Sequence, residues 1–218
     1  MDRNDFVEMY PRLYHMAAGG SWPSIAARGL LATRTLVDLY RPPASVRAEI
    51  LGQVRKRSYV LEAPGLPDAT VRDQLPLKFL DDCLLPGVTV QDYLNELNGR
   101  VFFHVSGNRL GRLLNARAYR THAHDIITLD TGAFLADHSE VDLAPYNTGD
   151  THVPNMPARG PSTFTPLEAY PWWDWRRRRG EANAVVELTV WHSAQLVNAV
   201  RRVERWQGGE MVDLLVGP

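Results

Sequence analysis

Apolar positions along this chain switch between a period of two and a period near 3.6, in short runs that alternate irregularly. Residues 11–15 read as a strand running into Ala17-Ala18-Gly19-Gly20, a flexible turn. A short helix is predicted next, capped by Ser21, with Ile25 inward and Gly29 ending it. Over 45–57, Val46, Ile50, Leu51 and Val54 recur at helical spacing and predict an amphipathic helix. Another helix is predicted over 68–75, interrupted at Pro76. Thr89-Val90-Gln91-Asp92 opens a helix that the turn dipeptide Asn98-Gly99 ends, and a strand follows at 100–105. Asn108 is predicted to cap a basic helix through Tyr119 that carries Arg109, Arg112 and Arg117. Ile126, Ile127 and Leu129 mark a strand at 125–130. A strand at 184–191, a helical turn capped by Ser193 with Leu196, Val197 and Val200, and a last strand over 211–216 complete the pattern. Short strands mixed irregularly with helices predict an α+β fold and not a doubly wound sheet.

Residues 144–180 differ in kind, with prolines at 145, 154, 157, 161, 166 and 171 and little periodicity. A structureless stretch of this length inside a domain is usually a lid or binding loop, or else disordered. The chain of 218 residues is long enough for one sizeable domain, and no linker divides it. Its net charge of −1 gives no global pull toward nucleic acid or membrane. A single cysteine, Cys83, lies in an apolar helical context, which excludes an intrachain disulfide and fits a reducing compartment. Without a secretory opening or a long apolar run, the expected location is cytoplasmic, with no membrane contact.

The chemistry starts from Val185-Val186-Glu187-Leu188-Thr189-Val190, an apolar strand with one carboxylate in its middle. Such a group costs stability unless it is paired, at an edge or put to use. Two readings stand: Glu187 is a surface charge on a solvated face, or it projects from a rigid strand into a cleft. In the cleft it would accept a hydrogen bond from a ribose hydroxyl and stabilise positive charge developing at the anomeric carbon. His15 follows Tyr14 at a strand end and precedes small residues and a helix N-terminus, where a backbone approaches a ligand closely and anions are favoured. The run Trp172-Trp173-Asp174-Trp175-Arg176-Arg177-Arg178-Arg179 again has two readings. Its tryptophans stack bases while its arginines contact phosphates, or the tryptophans pin the loop and the arginines form a solvated turn. His122 and His124 lack further ligands at metal spacing, so no metal site is expected. No Gly-x-Ser-x-Gly, phosphate loop or Gly-x-Gly-x-x-Gly is present.

Taken in order, Leu13-Tyr14-His15, the segment from Trp22 to Leu31, Arg100-Val101-Phe102-Phe103-His104 and Val186-Glu187-Leu188-Thr189-Val190 resemble the ADP-ribosyltransferase toxins that modify DNA, the DarT type. The chain is also similar to a bacterial group of uncharacterised proteins on the same scaffold, through Val71-Arg72-Asp73-Gln74, Ala116-Arg117-Ala118-Tyr119-Arg120 and Asn147-Thr148-Gly149. The resemblance implies a split, two-sheet ADP-ribosyltransferase-like fold with helical insertions, spanning 1–218 as one domain. It implies NAD as substrate and no metal. Glu187 and Arg72 would be catalytic, with Arg34 and Arg47 as rivals of Arg72. Tyr14, His15, Ala17, Phe103 and Asn147 would line the NAD site. Ala17 stands where the toxins carry a threonine, and His104 has no counterpart role. Arg159, Trp175, Arg176 and Arg177 would contact the acceptor, which by resemblance is a nucleic-acid base, and an antitoxin protein is the implied partner, with phage defence an open role. Three alternatives stay open: an NAD glycohydrolase using the same residues, an RNA 2′-phosphotransferase-like enzyme, and a nucleic-acid-binding module without catalysis. The second lacks its expected cluster of arginines and histidines.

Overall fold

The computed structural model describes residues 1–117 and 119–217. Its first half runs α1 (Arg3–Met9), β1 (Arg12–Ala18), α2 (Trp22–Arg28), β2 (Leu30–Leu31), α3 (Thr33–Tyr40), α4 (Ala44–Gly52), β3 (Tyr59–Ala63), β4 (Leu66–Val71) and α5 (Val90–Gly99). The second half runs β5 (Arg100–His104), α6 (Gly107–Leu114), β6 (His124–Asp130), α7 (Thr131–Asp137), β7 (Asp142–Ala144), β8 (Thr165–Pro166), α8 (Trp172–Arg179), β9 (Glu187–Trp191), β10 (Ser193–Ala194), β11 (Val200–Gln207) and β12 (Glu210–Val216). The fold is α+β, as the mixture of periods predicts.

Eight strands form one antiparallel sheet in the order β12-β11-β6-β1-β5-β9-β7-β8. Its middle is thin. β1 pairs with β6 along its whole length, from Arg12↔Asp130 to Ala18↔His124, and β5 pairs with β9 from Arg100↔Trp191 to His104↔Glu187. Between β1 and β5 only Tyr14↔His104 is paired. Two half-sheets therefore meet at one residue pair and fork apart beyond it. On one face, Leu13, Phe103, Leu188 and Val190 bury against Phe6 of α1 and Phe134 of α7. On the other, Met16 and Ile126 pack with Leu110 and Leu114 of α6. A satellite cluster of Val37, Tyr40, Ile50, Leu61 and Val71 joins α3, α4 and the β3–β4 hairpin, which stands beside the fork.

Local signals explain the elements that agree with the sequence pattern. Thr89 and Asp92 form a reciprocal capping box at the start of α5, whose Tyr93, Leu94 and Leu97 are buried. Gly29 ends α2 at φ 77°, and Ile25 faces inward.

Several elements depart from the pattern. β1 continues through Ala18, so the turn is confined to Gly19-Gly20. Residues 66–71 form a strand and not a helix, because Gly65 at φ 75° folds them onto β3 and pairs Leu61 with Ala69. The helix at 44–52 stops at Gly52, after which Arg55 turns into the interior. α6 ends at Leu114; Ser106 holds its N-cap position without a side-chain bond, and Ala118 lies outside the described residues. Ser193 caps nothing: it pairs with Leu31 in β10. Cys83 is buried in a single 3-10 turn and not in an α-helix. The strand predicted from 184 enters the ladder only at Glu187. Residues 144–180 are ordered: Leu143 pairs with Thr165, 3-10 turns span Pro161–Thr163 and Leu167–Ala169, and the tryptophan–arginine run is the helix α8. Proline there sets turns without dissolving structure.

Among the described residues, no helix is long and apolar enough to cross a membrane.

Candidate active site

The fork between β1 and β5 opens into a cleft of about 360 Å³. β1 contributes His15 to Ala18, β5 contributes Arg100 to Phe102 and His104, β9 contributes Glu187, and Arg72 closes one side from the end of β4.

Where the ladder fails, His15 replaces a strand hydrogen bond. Its Nδ1 lies 2.8 Å from the carbonyl oxygen of Phe102. A carbonyl only accepts, so Nδ1 carries the hydrogen and Nε2 keeps a lone pair. Burial lowers the imidazole pKa from its ordinary value to about 4, the Phe102 carbonyl opposing and Arg72 reinforcing this. His15 is thus neutral at physiological pH, with its tautomer held by the backbone.

Glu187 is 4% exposed, which removes the reading of a solvated surface charge. Its Oε2 accepts from both the backbone N–H of Thr148, at 3.1 Å, and the Thr148 hydroxyl, at 2.7 Å. Burial raises its pKa to about 7, and the Thr148 hydrogen bonds, Arg159 and Arg109 hold it from going higher. Oε1 takes no hydrogen bond among the described residues. A carboxyl poised near neutrality in a cleft is suited to a change of charge during chemistry.

Arg72 carries a guanidinium 4.5 Å from the Tyr119 ring centroid and donates to the Met16 carbonyl at 3.4 Å. Tyr119 is itself fixed by its hydroxyl on Asp73, at 3.2 Å. Behind Arg72, the buried Arg55 donates to the carbonyl oxygens of Arg72 and Ile50 and to the side chain of Asn98. This polar knot anchors the chain just after β4 and aims Arg72 across the fork. The rivals lie elsewhere: Arg47 pairs with Asp38, and Arg34 donates to Asn95, both away from the cleft.

Of the residues singled out from sequence, the cleft brings together His15, Ala17, Arg72, Asn147 and Glu187. Others fall outside it. Tyr14 packs against the α6 cluster of Met16 and Leu110, its ring over Gly107 at the start of α6. Phe103 is fully buried, its ring 4.9 Å from Phe134 in the core, and Phe102 lines the cleft in its place. Phe103 shares the face of Val101 and Val105 that packs into the core. Arg159 is fully buried and cannot meet a substrate. It donates to the carbonyl oxygens of Asn147, Asp150 and Pro157 and lies over the Tyr146 ring, shaping the loop that presents Thr148 to Glu187. Trp175 packs edge-on against Tyr146, 5.4 Å between centroids. Arg176 lies over Trp172 and Trp173 and pairs with Glu181, and Arg177 pairs with Asp174. These three residues of α8 sit apart from the cleft lining, where Trp172 pins the helix by donating to the Tyr10 hydroxyl.

The start of α2 also differs from expectation. Ser21 makes no capping bond there. The amides of Gly20 and Trp22 both donate, at 2.9 Å, to Oδ2 of the fully buried Asp125, whose other oxygen takes Nε of Arg205 at 2.6 Å. An internal carboxylate therefore occupies the helix N-terminus expected to favour a ligand's anion. Sequence reasoning passed over Thr148, Asp125 and Phe102. Alternation along β5 was the signal for Phe102; no local pattern marks the other two as partners, since each acts across a long separation in the chain.

Among the described residues, no group of three or more His, Cys, Asp or Glu could hold a metal ion. The chain belongs to a family described as "Family of unknown function (DUF7002)", whose model matches residues 11–200. All the cleft residues named above fall inside that stretch, and nearly all of the β11–β12 hairpin lies beyond it. No curated protein and no solved structure matches the chain.

Proposed function

We propose that this protein is an NAD-dependent ADP-ribosyltransferase that cleaves the nicotinamide–ribose bond and transfers ADP-ribose to an acceptor. The observation that carries this reading is the convergence of Glu187 and a neutral, tautomer-locked His15 at the fork of one sheet. His15 Nε2 accepts a hydrogen bond from a ribose hydroxyl. Glu187 accepts another and, as a carboxylate, stabilises the positive charge that grows at the anomeric carbon as nicotinamide leaves. The cationic nicotinamide ring favours the ionised form of Glu187, drawing its pKa below its resting value of about 7. Arg72, among the arginines that line the cleft, meets the phosphates, since the amides at the start of α2 are taken by Asp125. Holding the ribose and spreading charge is most of the task, because nicotinamide is already a good leaving group.

Incubation with labelled NAD and separate pools of DNA, RNA and protein tests the reading. Label on one pool, abolished in Glu187→Gln, supports it and names the acceptor. NAD loss without labelled product assigns water as the acceptor, and NAD left intact overturns the reading. A nucleic-acid acceptor remains the one the sequence resemblance favours; α8, with Trp173 70% exposed beside four arginines, is the surface to examine for it.

A further inference from the structure

His104 stands at the one residue pair that joins the half-sheets, between Tyr14 on β1 and Glu187 on β9. Directly opposed residues on antiparallel strands leave the sheet on the same face, with Cβ atoms about 5 Å apart, and both His104 and Glu187 line the cleft. The imidazole lines the cleft, yet its Nδ1 is buried with no hydrogen-bond partner among the described residues. A buried N–H without a partner is rarer and costlier than a buried lone pair. Nδ1 therefore holds the lone pair, and the ring's hydrogen sits on Nε2. Protonation would place an unpartnered N–H in the interior. Consistently, burial, then His15 and Arg109, lower the pKa of His104 to about 4.

The two cleft histidines are thus wired in opposite senses. His15 gives its hydrogen to the Phe102 carbonyl and offers an acceptor; His104 offers a donor. Glu187 adds a second acceptor in Oε1. Two acceptors and one donor match a vicinal diol, whose two O–H groups need acceptors and whose oxygens accept in return. We infer that His104 is a binding residue for the ribose diol, donating from Nε2 to a hydroxyl oxygen while His15 and Glu187 accept from the hydroxyls. This assignment rests on the NAD reading above and adds to it the donor that a pair of acceptors lacks. It also accounts for the otherwise unexplained buried Nδ1, which is the cost of aiming Nε2 correctly.

The test has two arms. Nitrogen-15 NMR of the wild-type protein at pH 7 should show His15 as the Nδ1–H tautomer and His104 as the Nε2–H tautomer; the reverse tautomer or a charged ring at His104 overturns the inference. Calorimetry with NAD should show about tenfold weaker binding in His104→Phe, the loss of one good hydrogen bond, and recovery to within about threefold in His104→Asn, which keeps an N–H donor. Binding of a nicotinamide dinucleotide lacking both hydroxyls of the nicotinamide ribose should be no weaker in His104→Phe than in wild type. A structural role would weaken both ligands alike and so overturn the inference. Wild-type consumption of NAD with unchanged binding in His104→Phe would remove His104 alone. A wild-type protein that neither binds nor consumes NAD would remove the reading of the whole site and the diol with it.

Discussion

His15 and Phe102 are joined by a 2.8 Å hydrogen bond across the gap where β1 and β5 stop pairing. A side chain there does what a backbone amide does elsewhere in the ladder. The bond orients the imidazole, fixes its tautomer and ties the strand edge that lines the cleft, while burial keeps the ring neutral, so one contact serves both the fold and the site.

Acid should therefore weaken the fold through its histidines. His15 and His104 each have folded pKa values near 4, below the ordinary 6.5. A depressed histidine contributes stability that is complete above pH 6.5 and lost as pH falls toward 4. Glu187 acts in the opposite sense: its raised value favours the fold at low pH, and that contribution is lost between pH 4.5 and 7. Two groups outweigh one, so urea midpoints should fall as pH drops from 6.5 to 4. The fall should be smaller in His104→Phe, measured at matched ionic strength.

Glu187→Gln should lower NAD turnover by roughly 10²–10³, the range for removing one preorganised charge-stabilising group. The amide oxygen can still accept from Thr148, so the fold should persist. At pH 8, where the wild-type protein must bury a carboxylate, the urea midpoint of the variant should equal or exceed that of wild type. A clear drop in stability would recast Glu187 as a structural residue.

Thr148→Val removes the hydroxyl that helps hold the Glu187 carboxylate. Losing a hydrogen bond to a charged group, about 1.5–3 kcal/mol, should move the acidic limb of the pH–turnover profile up by about one to two units. The sign follows from Thr148 acting to lower the pKa of Glu187. A profile that does not move would mean that another group sets the limb.

Asp125→Ala should be among the most damaging single changes. Asp125 is fully buried, accepts from two amides and pairs with Arg205. Its removal strips the N-terminal cap of α2 and the charge partner of Arg205, which is expected to cost about 3–5 kcal/mol. Arg205→Met, which leaves the fully buried carboxylate with only its two amide donors and no charge partner, should also cost several kcal/mol, about 3 or more, in the same chemical denaturation series.

The strands carrying the site were legible because their signals are local. β5 and β6 read directly from runs such as Arg100 to His104, and the capping box of α5 reads from Thr89 and Asp92. The β3–β4 hairpin was not legible: Asp68 to Leu75 carries a helical spacing that pairing with β3 overrides, a tertiary choice that propensity cannot see. Arg159 illustrates the same limit at the site. An arginine in a proline-rich stretch reads as exposed, yet three backbone carbonyls and an aromatic face make its burial tolerable. Glu187 and His15 stood out because a carboxylate in an apolar strand and a histidine beside small residues are each costly without a purpose. Their partners did not stand out, because Thr148 and Phe102 are ordinary residues whose importance comes from what they face.

The single pair Tyr14↔His104 has a mechanical consequence. Beyond it no backbone rung joins β1 to β5, and the two halves are tied across the gap by a shared core on one face and by the His15 bond. One aromatic heterocycle bridges the gap there, from a strand to a carbonyl. A ligand held by the free nitrogen of His15 therefore sits on that bridge, and the doorway to the cleft and the seam of the sheet are one and the same place.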